Sequence, residues 1–483
     1  MRKKIVAVLA AALMLFSAFG VLTGCSNKNT IVILLLANKQ ERTFYIEYFK
    51  ELEKDEYLNP NGYKIKFTGL EEGDYYQRLN SSVQRKDVPD IFYIRPNEIF
   101  QYKNLITNLQ EFADEFGDPT NPDSIANLSD IYESALDMYR YNPETGKLGN
   151  PEDDLYAFPK DLSVQQLGYN KKLLEKYQEK IKAAKYKMPW EMDFTKETYT
   201  WEQYKGMCKV IADNADTNEF ACDIPSIEIL ARSFASDPTA DNAGALINIP
   251  NGNRKEATVN SLTGDDNPIA KAIKYQAELV DCGAANYSEA TYSGFTAGRV
   301  CFYGLVGSWE TVAYNEYFGD DWGIMPWPTN DGKTNWYGLI TSAGYVVSKK
   351  AAGMAKGETA KRIAMSFMSD AMQERMVKDE KISLPLRKSV ADDFRSSAND
   401  NVYSPSTRGY YLDVISGKNG FYPAKYSTYD KAWLDKLSDA LTVMWNEGKP
   451  KDGKGGALAK YNDTKWDTVK NEMQKQYDVS KNR

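Results

Sequence analysis

Apolar and polar positions fall into runs along this chain, and the period of each run predicts an element. Residues 5–24 carry no charge and are mostly Ala, Val, Leu, Phe and Met, after the basic start Arg2-Lys3-Lys4. A basic start, an apolar middle and a small-residue end form a secretion signal. No later apolar run is long enough to span a bilayer. Thr30–Ala37 is continuously apolar and begins with β-branched residues, which predicts a strand buried on both faces. Phe44, Tyr45, Tyr48, Phe49 and Leu52 then recur at helical spacing and predict a helix over Lys39–Leu52. Asn59-Pro60-Asn61-Gly62 is a turn, and Tyr63–Thr68 alternates as a strand. Gly73–Arg85 reads as a helix and Pro89–Ile94 as a third apolar strand.

Strand, helix, strand, helix, strand predicts a mostly parallel sheet with helices on its faces. Ligands of such sheets sit past the carboxyl ends of the strands, which puts Asn38–Arg42 and Ile94–Glu98 on a candidate rim. Further along, Lys171–Lys187 is a charged helix, and Thr200 caps another that has Trp201 in its first turn. Residues 235–266 read as loop with a hairpin. A helix is expected over Pro268–Val280, a strand over Arg299–Gly304 and a helix over Ser308–Tyr317. Asp321–Pro328 and Ile340–Ser348 are extended. Helices return at Glu358–Asp379, Tyr429–Glu447 and Leu458–Gln476.

At 483 residues the chain is too long for one core, so two or more lobes are expected. The net charge is −7, and the signal itself contributes only basic residues, so the body is more acidic still. That argues against a nucleic-acid partner, because phosphates need a basic surface. Histidine is absent, which removes Ser-His-Asp and Cys-His catalysis and the usual zinc ligand set. No metal or other cofactor is expected. Cys208, Cys222, Cys282 and Cys301 show no C-x-x-C spacing and leave any pairing open. Cys301 lies in an apolar stretch and reads as a small buried hydrophobe. The 33 Tyr, 19 Phe and 9 Trp supply rings that can stack on sugar faces, though most rings in a chain this size are packing.

Leu22-Thr23-Gly24-Cys25 resembles the lipobox of bacterial lipoproteins, in which the Cys thiol takes a diacylglyceryl group and becomes the new N-terminus. Several further phrases stand in one order. They are Asp87-Val88-Pro89-Asp90-Ile91, Leu155-Tyr156-Ala157-Phe158-Pro159, Leu167-Gly168-Tyr169-Asn170-Lys171-Lys172-Leu173-Leu174 and Tyr199-Thr200-Trp201-Glu202. Phe295–Val300 before Gly307-Ser308-Trp309, Trp322–Pro328 and Leu384-Pro385-Leu386-Arg387 complete the series. This order resembles the extracellular solute-binding lipoproteins of ABC-type sugar importers, the group with the maltodextrin-binding proteins. The resemblance implies an α/β, two-lobed periplasmic-binding-protein-like fold of type II, its ligand between lobes joined by hinge segments. Residues 1–24 would be the signal and 25–29 the lipidated linker. Residues 30–154 and 309–383 would form the first lobe and 167–305 the second. Residues 384–483 would pack as helices on the first lobe and the cleft rim. It further implies a monomer, outside the cytoplasm, tethered to the membrane at Cys25, that binds a carbohydrate and delivers it to a membrane permease without chemistry.

A sugar site needs rings for the apolar faces and fixed polar groups for hydroxyls that both donate and accept. Trp309, after Gly307-Ser308 at a strand-to-helix turn, is the expected platform. Lys160 and Asp161 lie on the expected crossing segment. Glu41 and Arg42 follow the first strand, and Arg95 and Asn97 the third. Trp336 precedes the extended Ile340–Ser348, Tyr426 and Tyr429 follow Phe421-Tyr422-Pro423, and Arg387 follows Leu384-Pro385. Trp201 is expected to pack a helix rather than bind. A glycosidase would need two carboxylates facing one bond, and no hydrolase phrase is present. A non-sugar solute on the same scaffold is the other alternative.

Overall fold

The computed structural model describes residues 29–481 except 195, 238–242, 251–255, 287–290, 334–337, 397–404, 417–419, 422–430 and 448–455. Cys25, Trp336, Tyr426 and Tyr429 lie outside the described residues. Strands run in the order β1 (Thr30–Leu36), β2 (Lys64–Leu70), β3 (Ile91–Ile94), β4 (Phe158–Pro159), β5 (Ser163–Asn170), β6 (Phe220–Asp223) and β7 (Ile247–Asn248). They continue as β8 (Thr258–Val259), β9 (Ala285–Asn286), β10 (Val300–Gly307), β11 (Trp322–Met325), β12 (Gly338–Thr341), β13 (Gly344–Val347) and β14 (Gly420–Phe421).

Two large sheets result. The first has the order β2-β1-β3-β13-β4, with β1 parallel to β2 and β3, and β13 antiparallel to β3. The second has the order β14-β12-β5-β10-β6-β9, with β11 also on β5. β5 is long enough that one edge pairs β10 while the other is shared by β11 and β12. A small β7–β8 hairpin stands apart.

Each sheet has its own hydrophobic core. The first gathers the inner faces of β1 and β3 with Tyr45, Tyr48, Phe49 and Phe367. The helix Lys39–Leu52 starts where it does because Asn38 and Glu41 form a capping box, each side chain accepting from the other's backbone N–H at 2.9 and 3.0 Å. The second core gathers Leu174, Tyr204, Ile211, Ile273 and Phe302 around Trp201 and Trp327. Trp201 is buried there as expected, behind a Thr200 cap. Cys208, Cys222, Cys282 and Cys301 are free thiols, and all but Cys282 are fully buried.

Two α/β lobes are thus present, with corrections to their bounds. The chain does not return to the first sheet at Trp309. β11 and β12 complete the second sheet, and the return falls at Ser342-Ala343. The unpaired edge of β5 is the reason, since buried strand edges must find partners. The C-terminal helices divide as well. Lys388–Ser396 and Pro405–Ile415 pack on the first core through Val390, Phe394, Tyr411 and Leu412. Lys431–Glu447 and Trp466–Lys481 instead pack on the second core through Trp433, Leu437, Met444, Met473 and Tyr477. The Asp281 carboxylate fixes the helix between them by accepting the backbone N–H groups of Ala457 and Leu458 at 2.5 and 3.0 Å. Helical spacing says that such a face is buried, not against which lobe.

Candidate functional site

The carboxyl ends of β1, β2 and β3 deliver Asn38, Glu71 and Arg95 to one edge of the first sheet, beside the crossings to the second. Residues 160–162 lead from β4 to β5, and residues 342–343 lead back from β12 to β13. The two crossings are bonded to each other. Lys160 N–H donates to Ala343 O at 2.7 Å, Ser342 Oγ donates to Asp161 O at 2.6 Å, and Ala343 N–H donates to Asp161 Oδ1 at 3.0 Å. Gln373 Nε2 donates to Lys160 O and Tyr139 Oη to Ser342 O, tying both to the first lobe.

Glu41, Lys160 and Asp161 do come together, but on one another. Lys160 Nζ lies 2.7 Å from Glu41 Oε1 and 3.1 Å from Asp161 Oδ2, and all three residues are buried. Burial alone would discharge the ammonium. The two carboxylates outweigh it and hold Lys160 well above the ordinary lysine value. This triad anchors the crossing to the N-terminus of the first helix.

Arg42 and Arg95 also reach the rim, and each is turned onto the start of the helix Glu72–Gln84. Arg42 Nη2 is 3.3 Å from Glu71, and Arg95 Nη2 is 2.6 Å from Glu72 with its guanidinium over the Tyr76 ring. Asn97 is half-buried in the turn after β3. Arg387 does not join them. It is buried against Asp130 at 3.0 Å and Asp370 at 2.6 Å and donates to Met368 O. A buried guanidinium so enclosed braces its own lobe.

Across the crossings, β10 ends in Gly307 and a single turn carries Ser308, Trp309 and Glu310. Ser308 Oγ accepts from Val164 N–H at 3.1 Å, which locks the turn to β5. The half-exposed Trp309 indole lies directly against Gly307, where a Cβ would stand 2.4 Å from Cζ2. Only glycine lets the ring settle there.

The family model described as bacterial extracellular solute-binding protein matches residues 47–402. The chain belongs to this family. Among solved structures, this solute-binding protein is similar to an ABC substrate-binding protein from Listeria monocytogenes in complex with cycloalternan. The two share 15% identity and a TM-score of 0.63, over 93% of this chain and 98% of that one. The GacH receptor of Streptomyces glaucescens, solved unliganded and with acarbose, gives 17% and 0.60 over 93% and 97%. An extracellular solute-binding protein from Staphylococcus aureus in complex with maltose gives 15% and 0.55 over 94% and 98%. No curated protein sequence matches the chain.

The solute-binding protein also carries a buried carboxyl behind Trp309 that its sequence did not announce. β6 runs parallel to β10 and ends in Asp223, which the register places level with Tyr303, four residues before Gly307. Asp223 is buried, and its Oδ1 accepts from Gly304 N–H at 3.0 Å. Burial pushes its carboxyl up to about 7. One turn after Gly307, Glu310 accepts from Tyr314 Oη at 2.7 Å, and burial raises its carboxyl too. The short strand Phe220-Ala221-Cys222-Asp223 before Pro225 was the available signal, but four residues carry too little periodicity to read. Among the described residues no three His, Cys, Asp or Glu side chains are grouped to hold a metal, and no helix is long and apolar enough to cross a membrane.

Proposed function

We propose that this protein captures a carbohydrate, an oligosaccharide above all, between its two lobes and hands it unaltered to the membrane subunits of an ABC importer. The observation that carries the reading is the pairing of two separately cored lobes through short bonded crossings, with the half-exposed Trp309 against Gly307 at the end of β10. Rigid lobes on such crossings close by a hinge. An indole on a glycine step offers an apolar face to a pyranose, and the rim charges are paired rather than displayed. That balance suits a neutral polyol better than an anion or a cation. The solved relatives with cycloalternan, acarbose and maltose support the same ligand class.

The protein acts as a monomer outside the cytoplasm, anchored by a diacylglyceryl group on Cys25 after loss of residues 1–24. The basic-apolar-lipobox order of the first 25 residues supports this. A thermal-shift screen over mono- and oligosaccharides, amines, peptides and phosphate esters tests the ligand class. A bound ligand at a hundredfold excess over its Kd stabilises by about 2.7 kcal/mol. Sugars alone should raise Tm. A shift only with amines, peptides or anions would reject the carbohydrate, and turnover of a bound sugar would reject transport.

A further inference from the structure

The amino ends of β1, β2 and β3 and the carboxyl end of β13 meet at the pole of the first lobe opposite the candidate cleft, with Val347 paired to Ile91. β1 has seven residues, so this pole lies about 20 Å from the rim. The chain enters the lobe here, at Asn29, whose carbonyl accepts from Lys64 N–H at 3.0 Å.

The pole is basic on a protein of net charge −7. Arg85 and Lys86 end the helix Glu72–Gln84 and are exposed. Lys349 and Lys350 follow β13. Lys349 Nζ donates to the Lys103 carbonyl at 3.2 Å, and the Lys103 ammonium itself lies over the Phe100 ring. The acid among them, Asp87, is paired with Lys350 at 2.8 Å. Beneath them Lys356 and Asp90 are buried and mutually paired at 2.5 Å, and Lys356 also donates to Thr30 O. Toward β2, Lys54 and Lys64 are offset by Glu53, Asp55 and Glu56, so the excess charge is confined to the β3–β13 side. Met354 stands exposed beside it.

We propose that this pole is a membrane-contact face for anionic lipid headgroups, an inference that rests on the lipid anchor at Cys25. Five Cα–Cα steps separate Cys25 from Thr30, at most about 18 Å when fully extended. So short a tether holds the pole near the headgroups, within reach of a field that decays over about 8 Å at physiological salt. Arg85, Lys86 and Lys349 then meet the negative surface, while the rim turns toward the medium from which solute arrives.

The test uses the chain from Ser26 onward, which retains both cores and carries no acyl group, with vesicles of phosphatidylcholine alone or mixed with phosphatidylglycerol. Binding should be about tenfold or more stronger to the anionic vesicles and should fall to the neutral level at high salt. Arg85→Glu/Lys86→Glu/Lys349→Glu should abolish the difference and leave Tm unchanged. Lys172→Glu/Lys180→Glu on the second lobe should leave it intact. Equal binding to both vesicles, indifference to the triple change, or equal loss with the control pair overturns the proposal. The mass of the N-terminal peptide from protein made in a lipoprotein-processing host tests the anchor separately. An unmodified Cys25 there rejects the anchor and with it the membrane-contact assignment, whereas a lipidated Cys25 with no vesicle preference rejects the basic pole alone.

Discussion

The two rims of this protein solve different problems. On the first lobe nearly every charge is spoken for: Lys160 by Glu41 and Asp161, Arg42 by Glu71, Arg95 by Glu72. On the second lobe Trp309 lies on a glycine, and behind it burial raises the Asp223 carboxyl to about 7. The difference teaches that the first rim is chiefly a frame. Its ions hold crossings and helix starts in register, whereas the second rim carries a half-exposed indole, the platform proposed above for a sugar ring. A buried pair is costly to break because the survivor is left charged in a poor solvent. Removing a half-exposed ring leaves no buried charge behind, so it should cost little stability.

Breaking the frame has the largest expected effect. Lys160→Met leaves Glu41 and Asp161 facing each other in a buried site, and stability should drop by roughly 3–5 kcal/mol in denaturant titration. A loss under about 1 kcal/mol would mean that the triad does not hold the crossing.

Next comes the pH response of the second rim. The Asp223 carboxyl, at about 7 when folded, sits above the ordinary aspartate value. Its contribution is therefore complete below about pH 4, declines as pH rises and is gone above about 7, a span worth up to roughly 4 kcal/mol. Asp223→Asn should flatten that decline in urea melts run from pH 4 to 8. An unchanged slope would assign it to other groups.

Trp309→Ala should weaken sugar binding about tenfold, roughly 1.4 kcal/mol, with Tm unchanged in the absence of ligand. Gly307→Ala should act alike, because its new methyl displaces the indole. Retained affinity in both, by calorimetry, would deny the platform. The smallest effect belongs to Arg42→Ala and Arg95→Ala. Their pairs are solvent-screened, so each should cost within about 1 kcal/mol of stability. A large loss of sugar affinity there would show that the first rim releases its charges to the ligand, and the contrast between the rims would collapse.

The stretch from β1 to β3 was legible in its sequence, nearly to the residue, because continuous apolar runs announce buried strands and helical spacing announces the helices between them. The Thr200 cap and the buried Trp201 were legible for the same local reasons. The placement of Lys160 and Asp161 at a crossing was readable, but not their turning inward onto Glu41, a residue 119 positions away. Arg387 looked available beside a Leu-Pro turn, yet Asp130 and Asp370 enclose it. Asp223 went unseen on a strand of four residues.

By itself the sequence determined the longer helices and strands, and that more than one core must form, since local periodicity and total apolar content are properties of the chain alone. Which sheet β11, β12 and the last helices complete was decided only in three dimensions. So was which ions close on one another and which ring stays open. Those outcomes depend on partners distant along the chain, and a charge or a buried face carries no mark of the group that will satisfy it.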